Sequence, residues 1–140
     1  MDKSKFIKNY IQTSQRRIKY CENALNDKDF AYVVRESQTI VELCFKALLY
    51  RYNFVFPDKP EVSSDLKEVL EIYSDNIKKN YKKFAKLSKE LRRNRELALY
   101  GDPDADKVSN EFFTKDQAEN YLKEVKELLE IVKEELVDFL

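Results

Sequence analysis

The sequence of 140 residues contains no histidine, one glycine, three prolines and two cysteines. The absence of histidine removes both the commonest general base and the commonest zinc ligand. A single glycine excludes the glycine-rich loops that cradle phosphate groups. Because glycine and proline are so scarce, the chain has few positions that favour turns, and we expect a small number of long helices.

The two cysteines, Cys21 and Cys44, each lie among apolar residues at helical spacing. This pattern predicts two buried thiols rather than a disulfide or a metal site. No apolar run approaches the ~20 residues that span a bilayer. The first residues lead directly into an amphipathic segment without a signal sequence. We therefore expect a cytoplasmic protein that makes no contact with a membrane.

Charge is plentiful but unevenly distributed. The chain has 26 basic and 26 acidic residues and a formal net charge of zero. From Lys78 to Arg95 there are nine lysines or arginines and one acid, Glu90, whereas from Asp116 to Asp138 there are eight acids and three lysines. The overall balance argues against a general nucleic-acid coat protein, but the segregation predicts a local basic surface.

Apolar residues recur at three- and four-residue steps along most of the chain, which is typical of amphipathic helices. The pattern predicts an all-α fold, an antiparallel up-down bundle of four to five helices in one domain covering residues 1–140. The count is four if the third and fourth helices are continuous. The predicted helices are 5–25, 28–52, 63–73, 77–100 and a last one that follows Thr114 and reaches Phe139.

Several residues mark where these helices begin and end. Asn26 and Asp27 are expected to break the chain and cap the second helix, and Ser63 or Ser64 to cap the third. Gly101 suits the left-handed residue that ends a helix, and Pro103 prevents the helix from resuming. In the last helix, Thr114 and Gln117 form a predicted capping box.

The usual catalytic arrangements are not found in the sequence. A di-iron site in a helical bundle needs Glu-x-x-His pairs, and the predicted inward positions are apolar. Covalent catalysis needs a nucleophile beside a base, and the serines are scattered at caps and on helix faces. We therefore assign no catalytic residue and expect neither a metal nor a cofactor.

The end of the fourth helix concentrates anion-binding groups. Consecutive arginines point in different directions around a helix, so at least one is expected to reach inward or along an interface. Arginine binds phosphate with a bidentate fork that lysine lacks. Two interpretations stay open: these side chains bind a nucleotide or RNA phosphate, or they pair with acids of the last helix. The residues concerned are Arg92, Arg93, Asn94, Arg95 and Tyr100.

Nearly the whole chain resembles the HEPN superfamily of nucleotide-binding helical domains. The second helix contains the segment 31–38 and then Val41-Glu42-Leu43 and Lys46-Ala47-Leu48-Leu49, which is similar to a family helix ending in E-x-x-x-K-A-L. The Phe56-Pro57 connector, the helix start at Asp65-Leu66 and the final helix around Ala118 also fit. The resemblance implies a helical fold and a homodimer.

Many members of that superfamily are metal-independent ribonucleases with an Arg-Asn-x-x-x-His-x-Tyr motif. The stretch from Arg93 to Tyr100 keeps the Arg, Asn and Tyr, but Ala98 stands at the histidine position. General acid–base catalysis typically contributes ~10²–10⁴-fold to a rate, and alanine cannot transfer a proton. In an alignment shifted by two residues, from Arg95 to Tyr100, the histidine is replaced by a phenol with a pKa of ~10, a poor base at neutral pH.

The leading hypothesis is therefore a HEPN-like domain that binds nucleotide or RNA phosphate without cleaving it, through an arginine cleft at a dimer interface. One alternative is an accessory subunit that binds only protein, and another is a metal-independent ribonuclease. The resemblance further implies a toxin–antitoxin-type pair with a nucleotidyltransferase. In that pair Tyr100 matches the tyrosine that such a transferase can modify.

Overall fold

A computed structural model describes residues 2–140 as a bundle of helices. Four helices are long, a fifth has six residues, and no β-strand is found within residues 2–140. The predicted all-α bundle is therefore confirmed. The α-helices are α1 (Ser4–Asn26), α2 (Phe30–Tyr50), α3 (Ser63–Glu68), α4 (Asp75–Tyr100) and α5 (Lys115–Glu135), with short 3-10 turns at Leu70–Ile72, Pro103–Ala105, Ser109–Phe112 and Val137–Phe139.

Long helices that follow one another along the chain run antiparallel. In each pair, residue numbers rise along one helix as they fall along its neighbour. The contacts that establish this are Tyr10–Tyr50 and Arg17–Glu36 for α1 and α2, Leu48–Tyr73 and Arg35–Ala98 for α2 and α4, and Ser74–Glu135 and Glu90–Tyr121 for α4 and α5.

The core lies where the apolar stripes of the four long helices meet, and α2 contributes the largest share of its buried residues. Cys21 and Cys44 are buried free thiols, as the sequence predicts. Burial raises the pKa of each thiol to about 12. Both groups therefore stay protonated at neutral pH and act as small apolar side chains.

Two predicted helix caps differ from the structure, and of the two helix counts left open by the sequence the structure has five among residues 2–140. The cap of α2 is Asp29 rather than Asn26 or Asp27, because Lys28 takes a positive φ of 61° and moves the helix start along the chain. Ser63 is the first residue of α3 rather than its cap, which is Val62. The third and fourth helices are separate, since Tyr73 is extended and Ser74 caps α4 by accepting a hydrogen bond from the amide of Ile77.

The connection from α4 to α5 folds back onto the bundle. Gly101 ends α4 with the positive φ predicted for it, 66°, and a Cβ at this position would lie 2.4 Å from the carbonyl oxygen of Lys107. Only glycine fits such a close approach. The capping box of Thr114 and Gln117 starts α5 as predicted. No helix among the described residues is long and apolar enough to cross a membrane.

Candidate functional site

The predicted anion-binding residues occupy the last turns of α4, at the end of the bundle where α2 begins. Arg92, Arg93 and Arg95 are exposed, so none of them reaches inward in this single chain, and of the expectation only a position along an interface is left. An arginine here reaches solvent because the inward positions of these turns are taken by Leu91 and Ala98. The expected position at a dimer interface stays a prediction.

The structure does not bring the three arginines together. At 100° per residue, Arg92 and Arg95 point about 100° and 160° away from Arg93 around the helix. Tyr100 lies seven residues after Arg93, so it projects from nearly the same face about 10 Å further along the axis. The phenol is 74% exposed. Arg93 and Tyr100 therefore share one outward surface, which continues down α4 with Lys82, Lys86 and Lys89.

The arginines do not pair with acids of the last helix. Within residues 2–140, no ion pair of 4.0 Å or less involves Arg92, Arg93 or Arg95. Several acids of α5 pair elsewhere, as in Lys83–Glu127 at 2.7 Å and Lys126–Glu22 at 3.6 Å. The second of the two interpretations drawn from the sequence is therefore not the arrangement found here.

Ala98, at the position of the ribonuclease histidine, is fully buried. Its carbonyl oxygen accepts a hydrogen bond of 2.7 Å from Nη1 of Arg35 on α2. The last carbonyls of a helix lack partners within the helix, and Arg35 supplies one while its guanidinium lies over the Tyr32 ring at 5.3 Å. Position 98 is thus part of the helix packing and not of an open surface.

Asn94 points towards α5, away from Arg93. Its Nδ2 donates to the hydroxyl of Tyr121 at 3.3 Å, and that hydroxyl donates to Oε1 of Glu90 at 2.6 Å. Tyr121 is only 6% exposed. Burial and the hydrogen bond to Glu90 raise the pKa of the Tyr121 phenol. The three side chains therefore form an ordered chain of hydrogen bonds between α4 and α5.

A polar cleft of about 220 Å³ opens at this chain of hydrogen bonds. Glu90 and Tyr121 line it. Lysines from α4 and polar residues from α5 complete the wall, so the cleft offers both donors and acceptors. The additional lining residues are Lys83, Lys86, Leu87, Asn120 and Glu124.

A wider concavity lies elsewhere, on the outer face of α5. It has a volume of about 690 Å³ and a mostly apolar floor that includes Leu25, Leu122 and Ile131. Its volume is that of a ligand site. It is poorly suited to a small ligand, however, because it is wide open to solvent and would leave much of the ligand exposed. Charged side chains form its rim: Glu119, Lys123, Lys126, Glu127 and Glu130.

Three residues at this site were not predicted as site residues from the sequence: Arg35, Glu90 and Tyr121. Tyr121 sits in the apolar stripe of α5 and was expected only as a core residue, while Glu90 stood out only as the one acid in a basic stretch. A lone acid surrounded by nine basic residues was the available signal. Arg35 gave no such signal, because only the packing of α2 against α4 brings it to the end of α4.

Comparison with known proteins gives one family. The family model described as HEPN domain matches residues 7–136, nearly the whole chain. No curated protein and no solved structure matches the chain significantly. The matched range contains all the residues of the site described above.

Proposed function

The chain belongs to the HEPN domain family, a family of nucleotide- and RNA-related domains, and from this premise we propose that it binds the phosphate groups of a nucleotide or RNA without cleaving them. Arg93 is the central residue of the proposed site. The observation that carries the proposal is the group of three exposed arginines at the end of α4, none of which pairs with an acid among the residues described.

The positive charge of Arg93 is available to a ligand. A guanidinium that already pairs with a carboxylate has to give up that partner before it binds phosphate, whereas Arg93 gives up only water. Charge-assisted hydrogen bonds contribute about 1.5–3 kcal/mol each. The lysines along the same face of α4 extend the positive surface, so a single-stranded RNA meets several cations in a row.

Calorimetric titration of the protein with ATP, GTP and a short RNA tests the proposal. We expect the Arg93→Ala variant to lose about tenfold or more in affinity, the equivalent of one charge-assisted contact. Arg16→Ala is the matched control, because Arg16 is an exposed arginine on α1, and it should bind like the wild type. Absence of binding to all three ligands would overturn the proposal.

The proposed lack of cleavage rests on position 98, since a buried alanine offers no proton donor or acceptor. The ribonuclease alternative predicts shortened RNA after prolonged incubation. Cleavage that Arg93→Ala abolishes would support that alternative, and cleavage that persists in Arg93→Ala would have to come from another site.

A second candidate function is association through the outer face of α5, either with a partner protein or with a second copy of the chain. If a two-fold axis passes between Lys126 and Glu127, two copies of α5 lie antiparallel across it. Lys126 of each copy then faces Glu127 of the other copy, and Lys123 faces Glu130. Such self-complementary charge around an apolar floor is what a two-fold interface requires. This observation favours the homodimer.

Charge reversal tests this interface in solution. The double variants Lys123→Glu/Lys126→Glu and Glu127→Lys/Glu130→Lys each place like charges across the axis, so each alone should be monomeric by light scattering. An equimolar mixture should form heterodimers. Melting temperatures control for the ion pairs within one chain that the changes remove. A wild type that stays monomeric, or dimers that neither variant weakens, would contradict the proposed interface.

The proposed nucleotidyltransferase partner would act on Tyr100. The exposure of the phenol supports this, because a hydroxyl that projects into solvent can enter the active site of a second protein. The phenolic oxygen would attack the α-phosphorus of a nucleoside triphosphate and release pyrophosphate, with the phenolic proton passing to solvent. Mass spectrometry after incubation with such an enzyme should detect one added nucleotide, absent in Tyr100→Phe.

A further inference from the structure

The polar cleft between α4 and α5 is lined by Glu90, one helical turn before Arg93, whereas Arg93 itself does not line it. Glu90 precedes Arg93 by three residues, so the two side chains are neighbours on the helix surface. The cleft wall carries two acids, Glu90 and Glu124, and two lysines, Lys83 and Lys86, so it has no net charge to hold a phosphate. The cleft therefore suits a neutral group that donates hydrogen bonds and is attached to a phosphate.

Glu90 is fixed in position by the residues behind it. Its Oε1 accepts the hydrogen bond of 2.6 Å from Tyr121, whose hydroxyl also receives the bond of 3.3 Å from Asn94. Because the raised pKa of Tyr121 keeps the phenol protonated, Tyr121 stays a donor and Glu90 an acceptor. Oε2 of Glu90 receives no hydrogen bond from residues 2–140. This oxygen is a free acceptor held in a fixed direction.

The size of the cleft limits what enters it. Sites for drug-sized ligands measure about 300–1,000 Å³, and this cleft measures about 220 Å³. It therefore takes one part of a nucleotide, such as the sugar, and not the entire molecule. The sugar is also the part joined directly to the phosphate, so the sugar of a nucleotide whose phosphate binds Arg93 can reach Glu90, three residues earlier on the helix.

We propose that Glu90, positioned by Tyr121, accepts a hydrogen bond from the ribose 2′-hydroxyl of the nucleotide whose phosphate binds Arg93, and so selects RNA over DNA. This inference rests on the proposed phosphate-binding function. The 2′-hydroxyl is the group by which a protein distinguishes RNA from DNA at a given site. A buried, unionised tyrosine gives the carboxylate the fixed direction that such discrimination needs.

The experiment compares binding of ten-residue oligouridine and oligodeoxyuridine, which differ only in the sugar. Wild-type protein should bind the ribo-oligomer about tenfold more tightly, as expected for one hydrogen bond to a charged group. In Glu90→Ala the ratio of the two affinities should fall close to one. In Tyr121→Phe, which frees Glu90 to rotate, the ratio should fall severalfold while the melting temperature reports whether the variant is folded.

Glu96→Ala is the matched control, because Glu96 is an exposed acid on the same helix and is not among the residues that line the cleft. Both alanine variants remove one negative charge, which should strengthen binding of the deoxyribo-oligomer in each, but only Glu90→Ala also removes the proposed hydrogen bond to the 2′-hydroxyl. Only Glu90→Ala should change the ratio of the two affinities.

The possible outcomes separate the two proposals. If wild type binds both oligomers equally, or if Glu90→Ala changes both affinities by the same factor, the ribose assignment is overturned while phosphate binding stands. If wild type binds neither oligomer and neither ATP nor GTP, the phosphate proposal fails and this inference fails with it. A folded Tyr121→Phe variant with the wild-type ratio would remove Tyr121 from the proposal.

Discussion

Residue 98 determines what the end of α4 can do. Alanine there leaves no proton-transfer group, and the structure adds that the side chain is fully buried while its carbonyl binds Arg35. A histidine at this position would have to displace packed neighbours before its imidazole reached a phosphate. The difference from the ribonuclease motif is therefore one of local packing as well as of side-chain chemistry.

We predict that Ala98→His destabilises the protein by about 1–3 kcal/mol, the usual cost of overpacking a core position. Burial would also favour the neutral imidazole, which is the wrong form for a general acid. Urea denaturation measures the stability, and incubation with a labelled RNA should reveal no gain of cleavage.

Ala105→His is the control for this change, since Ala105 is exposed in the loop after α4. It adds the same imidazole near the same end of the bundle and should leave stability within about 0.5 kcal/mol of wild type. A stable, RNA-cleaving Ala98→His variant would contradict the packing argument.

At the scale of the elements, the loop between α4 and α5 ties the start of α2 to the end of α4. Oδ1 of Asn110 accepts from the amides of Phe30 and Ala31 at 2.8 and 3.1 Å. Its Nδ2 donates to the carbonyl of Lys28 at 2.9 Å. One side chain 80 residues away thus satisfies two of the amides that a helix start leaves without partners, and it holds the loop beside the arginines.

Asn110→Ala should lower the free energy of unfolding by about 1–2 kcal/mol, the typical cost of losing a helix cap. Asn110→Asp keeps the acceptor oxygen and places a negative charge at a helix N-terminus, which is favourable. We expect the aspartate variant to lose clearly less stability than the alanine variant in denaturant titrations. Equal losses for the two variants would mean that the donor to Lys28, and not the cap, is what matters.

For the molecule as a whole, the buried thiols make stability depend on alkaline pH. Burial raises the pKa of Cys44 to about 12, although a hydrogen bond with Ser14 acts in the opposite direction. Burial also raises the pKa of Cys21 to about 12. In the unfolded chain both thiols ionise near pH 9. The contribution of the two buried thiols to the stability of the folded state is therefore fully present below about pH 9 and is lost as the pH rises towards 12.

We predict that the free energy of unfolding, measured with a reducing agent present, falls between pH 9 and 11 with a slope of up to about 1.4 kcal/mol per pH unit for each thiol. Cys44→Ala should start from a lower stability because of its cavity but decline less steeply over the same range. The tyrosines titrate alike in both proteins and cancel in the comparison. Identical slopes would contradict the assignment to Cys44.

Much of this molecule could be predicted from local patterns. The three- and four-residue steps of apolar residues, the capping box at Thr114 and the glycine at 101 locate most of the helices, because these signals act within one or two turns of chain. The errors at Asp29 and Val62 arose where a single residue with positive φ, or a cap without a polar side chain, moved the boundary.

The sequence by itself determined the all-α fold, the buried thiols, the basic face of α4 and the family, because each depends on residue types at short, regular spacing. Only the tertiary structure decided that the arginines diverge without acidic partners among residues 2–140, that buried Ala98 is bonded to Arg35 of α2, and that Glu90 meets Tyr121. Those facts depend on how helices distant in sequence pack against one another, and side-chain packing between helices leaves no periodic signal in any one of them.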